Sequence, residues 1–301
     1  MQIKRMGSRL WLMGVLLAAV LSLAGCGTTI GGTGELPSQE QLAGLKKLGE
    51  IHVIAREDGS GTRSTFAELA GFAGGGRGPD LTRQDAVIAV NAEAVIDEAG
   101  KNPASIGYVS RSAAESAADV KILAVNGSNG EAGKGSYPLR RSFYLAYSGE
   151  LNELEQDFLT YVTGAGQELV GKSFGAVAKA DRFLSNQAAG ELKIVGSTSV
   201  APLMSELAAA YEGINTHADI SVVPSNSADG LTRTMQGECD FGMASRELKD
   251  YEKELLNYRL IANDDIVVIV NKDNPLTNIT LEQLKGIYTG ELAGWQELSG
   301  K

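Results

Sequence analysis

Three times in this chain a short apolar run ends in a turn of glycine and hydroxyl residues and continues at once as a helix. The runs are Ile51–Ala55, Lys193–Val195 and Ile220–Val223. The turns are Arg56-Glu57-Asp58-Gly59-Ser60-Gly61-Thr62, Gly196-Ser197-Thr198-Ser199 and Ser225-Asn226-Ser227-Ala228-Asp229-Gly230. Repeated strand–turn–helix junctions hold a chain to α/β architectures, with helices packed on a sheet. They also carry chemistry. Glycine lets backbone approach a ligand closely, and the first amides of a helix point at an anion with the positive end of the dipole. Ser60 and Thr62 add hydroxyls, and Arg56 adds a fork of charged donors. Pro202 suits a first helical turn, where a missing N–H costs nothing. A single junction of this type is more often a plain helix cap. Three of them point to one converging oxyanion site.

Other chemistries are excluded by what is missing. The first junction lacks the Gly-Lys-Ser/Thr ending of a P-loop. It also lacks the G-x-S-x-G pattern, with acid and base partners, of a nucleophile elbow. His52 alternates with apolar neighbours and His217 sits among loop residues, so neither has a catalytic partner. With neither a metal cluster nor an activated nucleophile, an enzyme acting on phosphate esters is not expected, and no catalytic residue, cofactor or metal is assigned. The 301 residues allow two domains, each with its own core. A formal charge of -10 argues against a nucleic-acid partner, which would need a basic face.

The N-terminus is distinctive. Lys4, Arg5 and Arg9 precede the apolar run Leu10–Leu23, which is short for a membrane span. It ends in Leu23-Ala24-Gly25-Cys26, similar to the lipobox of bacterial lipoproteins. Residues 1–25 are therefore read as a signal peptide, Cys26 as the lipidated N-terminus, and 26–36 as a flexible tether. Loss of the three leader cations takes the charge from -10 to -13. Cys239 then has no partner and is expected as a buried structural thiol.

Further motifs join the three junctions: Ile106-Gly107-Tyr108-Val109-Ser110, Asp240–Arg246 (DFGMASR), Asp264–Asn271 (DDIVVIVN) and Thr280–Trp295 (TLEQLKGIYTGELAGW). Together they resemble PstS-type phosphate-binding proteins, the substrate receptors of phosphate ABC transporters, over nearly all of the chain after residue 36. The resemblance implies a two-lobed α/β fold of the class II periplasmic-binding-protein (Venus-flytrap) type, with phosphate clasped between the lobes. It places Arg56, Ser60, Gly61 and Thr62 on one lobe's face of the site and Thr198, Ser199 and Ser227 on the other's. Asp58 falls where an acid steadies the arginine. Ser245 is read as a further ligand, and Arg246 as reaching the anion or packing in an ion pair. Asp58 and Asp229 are both open as acceptors of a phosphate proton. The partners implied are inorganic phosphate, the permease subunits of an ABC transporter and, through Cys26, the extracytoplasmic face of the cell membrane. A receptor for sulfate, molybdate or tungstate and a non-transport phosphate sensor are the alternatives.

The order of segments departs from that family. The R-E-D-G-S-G-T half precedes the G-S-T-S-V half, as in a circular permutation, with a fragment of a tandem pair as the alternative, and Glu40–Leu45 (EQLAGL) echoes Glu282–Ile287 (EQLKGI). One lobe is then expected over 37–123 plus 267–301 and a continuous one over 124–266, with Val120–Val125 and Asp264–Val270 as the crossings. Lys301 is expected beside Leu48–Ile51. Tyr108, Tyr137 and Trp295 are read as packing residues, and Arg140-Arg141 as a solvated surface pair.

Overall fold

The computed structural model describes residues 38–73, 78–130 and 136–299; the leader, Cys26, the tether and Lys301 lie outside them. The chain opens with α1 (Gln39–Leu48), β1 (His52–Arg56), α2 (Gly61–Leu69), β2 (Val87–Ala89), α3 (Ala92–Lys101), β3 (Ser105–Ser110), α4 (Arg111–Glu115) and β4 (Val120–Val125). It continues with β5 (Arg140–Tyr147), α5 (Glu153–Thr163), α6 (Gln167–Ser173), β6 (Gly190–Ser197), α7 (Ala201–Glu212), β7 (Ala218–Ser225), α8 (Ser227–Met235), β8 (Phe241–Ala244) and α9 (Asp250–Leu255). It closes with β9 (Asn257–Asn271), β10 (Asn278–Ile279), α10 (Leu281–Thr289) and a 3-10 turn over Trp295–Ser299.

β9 organises everything. Its Ile266–Val270 run is fully buried, because this end is a central strand covered on both faces. Here it lies antiparallel to β3 on one side and to β4 on the other. Parallel β1 and β2 extend the β3 side, and β10 extends the β4 side. The other end of the strand, Asn257–Asp265, runs antiparallel to β5, beyond which lie β8, β6 and β7. One 15-residue strand thus belongs to two half-sheets.

Packing follows the same division. Two apolar clusters, around Phe66, Tyr108 and Tyr288 and around Val95, Val109 and Ile269, draw on residues up to Leu139 and from Ile266 onward. Two others, around Phe158, Leu207 and Phe241 and around Leu231 and Leu248, draw only on Phe143 to Ile261 and Ala262. In α7, Leu203, Leu207 and Tyr211 recur every four residues on one face, and all three are buried in that second lobe.

The crossings are placed differently from expectation. Val120–Val125 pairs inside the first half-sheet, and Val125, Tyr137 and Leu139 still belong to the first core. The chain crosses instead at β5, whose Arg140 and Arg141 stand opposite Asp265 and Asp264 in β9. Two adjacent antiparallel strands therefore form the inter-lobe connection, and it carries four charged side chains rather than an open hinge. Near the chain ends, Glu50 bridges Gly294, and the Trp295 amide donates to the Gly49 carbonyl at 3.0 Å.

Candidate functional site

Each glycine–hydroxyl turn is aimed by its own lobe's core. Phe66 on α2 stacks on Tyr108 with ring centroids 4.0 Å apart, which fixes the helix over the sheet. Tyr108 Oη accepts the Arg56 amide at 3.1 Å, and Arg63 Nη1 donates to the Arg56 carbonyl at 2.9 Å. Arg63 also pairs with Asp58 and Asp80, so the loop between β1 and α2 is tied on both sides. Ser60 caps α2 and Asn226 caps α8, each by accepting a backbone amide three residues on. Gly196 has φ 138°, and a side chain there would strike the Met243 backbone. Glycine is therefore required where β6 turns into Ser197-Thr198-Ser199.

The three turns meet across the cleft. Arg56 Nη2 donates to Thr198 Oγ1 at 3.0 Å, and the Thr62 and Ser199 hydroxyls lie 2.9 Å apart. Thr65 Oγ1 donates to the Ser245 carbonyl at 3.2 Å, and the Ala228 amide to the Gly59 carbonyl at 3.2 Å. A methyl group on Gly61 would collide with the hydroxyls of Ser227 and Ser245, so the α2 N-terminus touches the opposite lobe through bare backbone. Ser197 Oγ donates to Ser245 Oγ at 2.9 Å, and the Ser245 amide donates to Ser227 Oγ at 3.1 Å. Arg56, Ser60, Gly61, Thr62, Ser199, Ser227 and Ser245 are buried; Thr198 is partly exposed. Arg56, Gly61, Thr62, Thr198, Ser199, Ser227 and Ser245 thus meet in one inter-lobe cluster, with Ser60 at the α2 cap beside Gly61.

Chemically, the cluster is rich in donors, lies at the N-termini of α2, α7 and α8, and has Arg56 as a charged donor. Arg56 is 1% exposed, and its Nη1 has no hydrogen-bond partner among the described residues. A buried guanidinium N–H left unbonded is costly, so this atom marks where an acceptor belongs.

The expected supporting residues need correction. Asp58 does not steady Arg56: its side chain is 97% exposed and pairs with Arg63. The carboxylate on Arg56 is Glu57, held through Nε at 2.8 Å and Nη2 at 2.9 Å. Of the two readings of Arg246, the structure shows the ion pair: both its Nη atoms engage buried Glu252, at 2.7 and 2.8 Å. Asp229 lies along α8 beside Arg233 at 3.9 Å, and Asn226 is the cap.

Arg141 was read as a surface residue, yet its side chain is fully buried. Its Nη2 holds Asp264 Oδ2 at 2.7 Å, while Nη1 donates to Thr62 Oγ1 at 2.5 Å. Asp264 also accepts from Ser110 at 2.9 Å. Burial pulls the Arg141 guanidinium below its usual range, Asp264 opposes this, and the nearby charge of Arg56 adds to the lowering. Burial likewise raises the Asp264 carboxyl, against the pull of Arg141. The available signal was the Arg140-Arg141 and Asp264-Asp265 doublets at the start and middle of apolar runs. Cys239 is buried and free, beside Thr234.

The PBP superfamily domain matches residues 33–165 and 184–301 of the chain. Phosphate-binding protein PstS 2 of Streptococcus pneumoniae is 34% identical over 290 residues, which cover 94% of this chain and 98% of that protein. Phosphate-binding protein PstS of Staphylococcus saprophyticus is 33% identical over 147 residues, covering 46% of this chain and 45% of that one. Among solved structures, the phosphate-binding protein of a phosphate ABC transporter from Streptococcus pneumoniae superposes with a TM-score of 0.65 at 34% identity, over 83% of this chain and all of that one. Matches of this extent, on a two-lobed fold with a cationic, hydroxyl-lined cleft, place the chain in the PBP superfamily and, within it, in the PstS family of phosphate-binding proteins.

Proposed function

We propose that this protein is the phosphate receptor of an ABC importer, a binding protein rather than an enzyme, and that it clasps inorganic phosphate between its lobes. The observation that carries the reading is the unbonded Arg56 Nη1, buried where three helix N-termini and a ring of hydroxyls from both lobes converge. Such a site neutralises a dianion locally, although the chain is net negative. Relatives named for phosphate binding, and a solved neighbour named for phosphate ABC transport, support the same ligand and use.

Calorimetric titration of the soluble part with phosphate, sulfate and molybdate tests this. Saturable phosphate binding in preference to the other two is the expected result. Equal affinity for all three would reduce the protein to a general oxyanion receptor, and no binding of any would end the reading.

Cys26 is proposed as the lipid-modified N-terminus, tethering the receptor to the extracytoplasmic membrane face beside its permease. Several acyl chains, as bacterial lipoproteins carry, make such attachment stable where one would not. Mass spectrometry of the membrane-purified protein should find the acylated cysteine first; an unmodified Cys26 would contradict it.

The order of segments is proposed to be a circular permutation. An end-to-end match with the pneumococcal protein and a half-length match with the staphylococcal one are what two orders of the same segments produce.

A further inference from the structure

Arg141 belongs to neither lobe's helix turns. It sits on β5, one of the two strands that connect the lobes, directly opposite Asp264 in register. Its side chain is fully buried and its fork is split between two tasks. Nε and Nη2 grip Asp264 Oδ2 at 2.9 and 2.7 Å, while Nη1 points the other way, to Thr62 Oγ1 in the anion cluster. Thr62 is in turn 2.9 Å from Ser199 Oγ, and the neighbouring Thr198 takes Arg56 Nη2. Two buried guanidinium groups thus reach the same patch of hydroxyls.

The charged groups around Arg141 are few. Asp264 faces it across the strands, Arg140 and Asp265 form the next pair in register, and Arg56 with Glu57 stands across the hydroxyls. Glu57 and Asp264 each offset one of these two like charges, and the donors they leave over favour a further anion among the hydroxyls. A single carboxylate per arginine leaves each guanidinium with donors to spare. Serine and threonine hydroxyls between them can accept from arginine and donate onward to an anion, relaying charge to it.

Resting on the phosphate reading above, we propose that Arg141 is a second anion-binding cation of the site, fixed on the inter-lobe strand pair by Asp264 and acting opposite Arg56 on the same phosphate. Charge on the ligand is then sensed by the strands that connect the lobes as well as by the lobe tips. Asp264 serves as a positioning residue, holding Nε and Nη2 so that Nη1 is left for the cleft.

The test uses the native protein, Arg141→Lys, and the paired neutral variant Arg141→Gln/Asp264→Asn, each titrated with phosphate by calorimetry at one pH and ionic strength. The paired variant strands no buried charge, so it is expected to fold. It should bind phosphate about tenfold to a hundredfold more weakly than native, because the hydroxyls that hold the dianion lose the charged donor behind them. Arg141→Lys, which keeps the charge but not the fork, should lose less than the paired variant. A paired variant that binds phosphate as tightly as native would show that the arginine only braces the strands, and would overturn the proposal. Lysine and paired variants both binding at native affinity would do the same. Failure of the native protein itself to bind phosphate would instead overturn the phosphate reading, and this proposal with it.

Discussion

At the scale of single residues, the site sets two buried arginines among many neutral donors, and of the two only Arg56 has a nitrogen, Nη1, with no partner among the described residues. Removing Arg56 leaves Glu57 partly buried and unpaired beside the anion, so Arg56→Gln should cost about 2–5 kcal/mol of phosphate binding. Ser60→Ala and Thr198→Ala should each cost about 1–3 kcal/mol, the range for a hydrogen bond to a charged group. Gly61→Ala adds a methyl where Ser227 and Ser245 already touch the backbone, so it should block closure and lose binding without lowering the melting temperature of the free protein. Calorimetry on the four variants orders these effects; Gly61→Ala binding phosphate at native strength would refute the close approach. The turns that meet in the inter-lobe cluster were legible because each is local in sequence and matches a motif of the family the chain resembles. The supporting set was not. A strand alternates its side chains, and whether Glu57 or Asp58 turns back onto Arg56 depends on the turn after the strand ends. The Arg141–Asp264 pair spans 123 positions, and only the register of β5 on β9 brings it together.

Among the elements, those with their own punctuation were read closely. β3 takes up the Ile106–Ser110 motif and β4 the Val120–Val125 run, both uninterrupted, and α7 and α10 have Pro202 and a capping box, respectively, at their starts. The EQL echo recurs as structure: α1 and α10 both begin with a capping box, Ser38 with Gln41 and Thr280 with Gln283. β5 and the first half of β9 went unread because their charged residues break the apolar pattern, and partners across the crossing supply the compensation. Asn226→Ala should remove the α8 cap at about 1 kcal/mol of stability in denaturant unfolding. The Arg246–Glu252 pair ties the segment after β8 to α9. Burial alone would raise the Glu252 carboxyl, but Arg246 and the Lys249 amide carry it below 4.5. A depressed carboxyl stabilises the fold above its unfolded value and loses that contribution as pH falls through the folded one. Glu252→Gln should therefore flatten the acid side of the stability–pH curve; an unchanged acid limb would contradict the assignment.

For the molecule as a whole, the decisive feature is a two-lobed body held by one strand pair, with its C-terminal turn docked near its start. Trp295 is fully buried and its indole N–H donates to the Ala104 carbonyl at 2.9 Å. Joining the 3-10 turn to α1 by a flexible linker, and reopening the chain in the exposed stretch 178–182, should leave both cores intact. Such a rewired chain should fold cooperatively and bind phosphate within a few-fold of native; an unfolded product would contradict the equivalence of the two orders. The α/β class was legible from alternating strand and helix signals, and the two lobes from the family resemblance. The place where the lobes join was not, because β4 reads like a crossing in sequence and is held in the first half-sheet by pairing with β9. Central to all of this is one claim, that phosphate lies between the lobes on Arg56. A crystal structure grown with phosphate tests it most directly. Tetrahedral density is expected within hydrogen-bond distance of Arg56 Nη1, the α2 N-terminal amides and the hydroxyls of Thr198 and Ser199. An empty cleft at saturating phosphate, or an anion bound elsewhere, would contradict it.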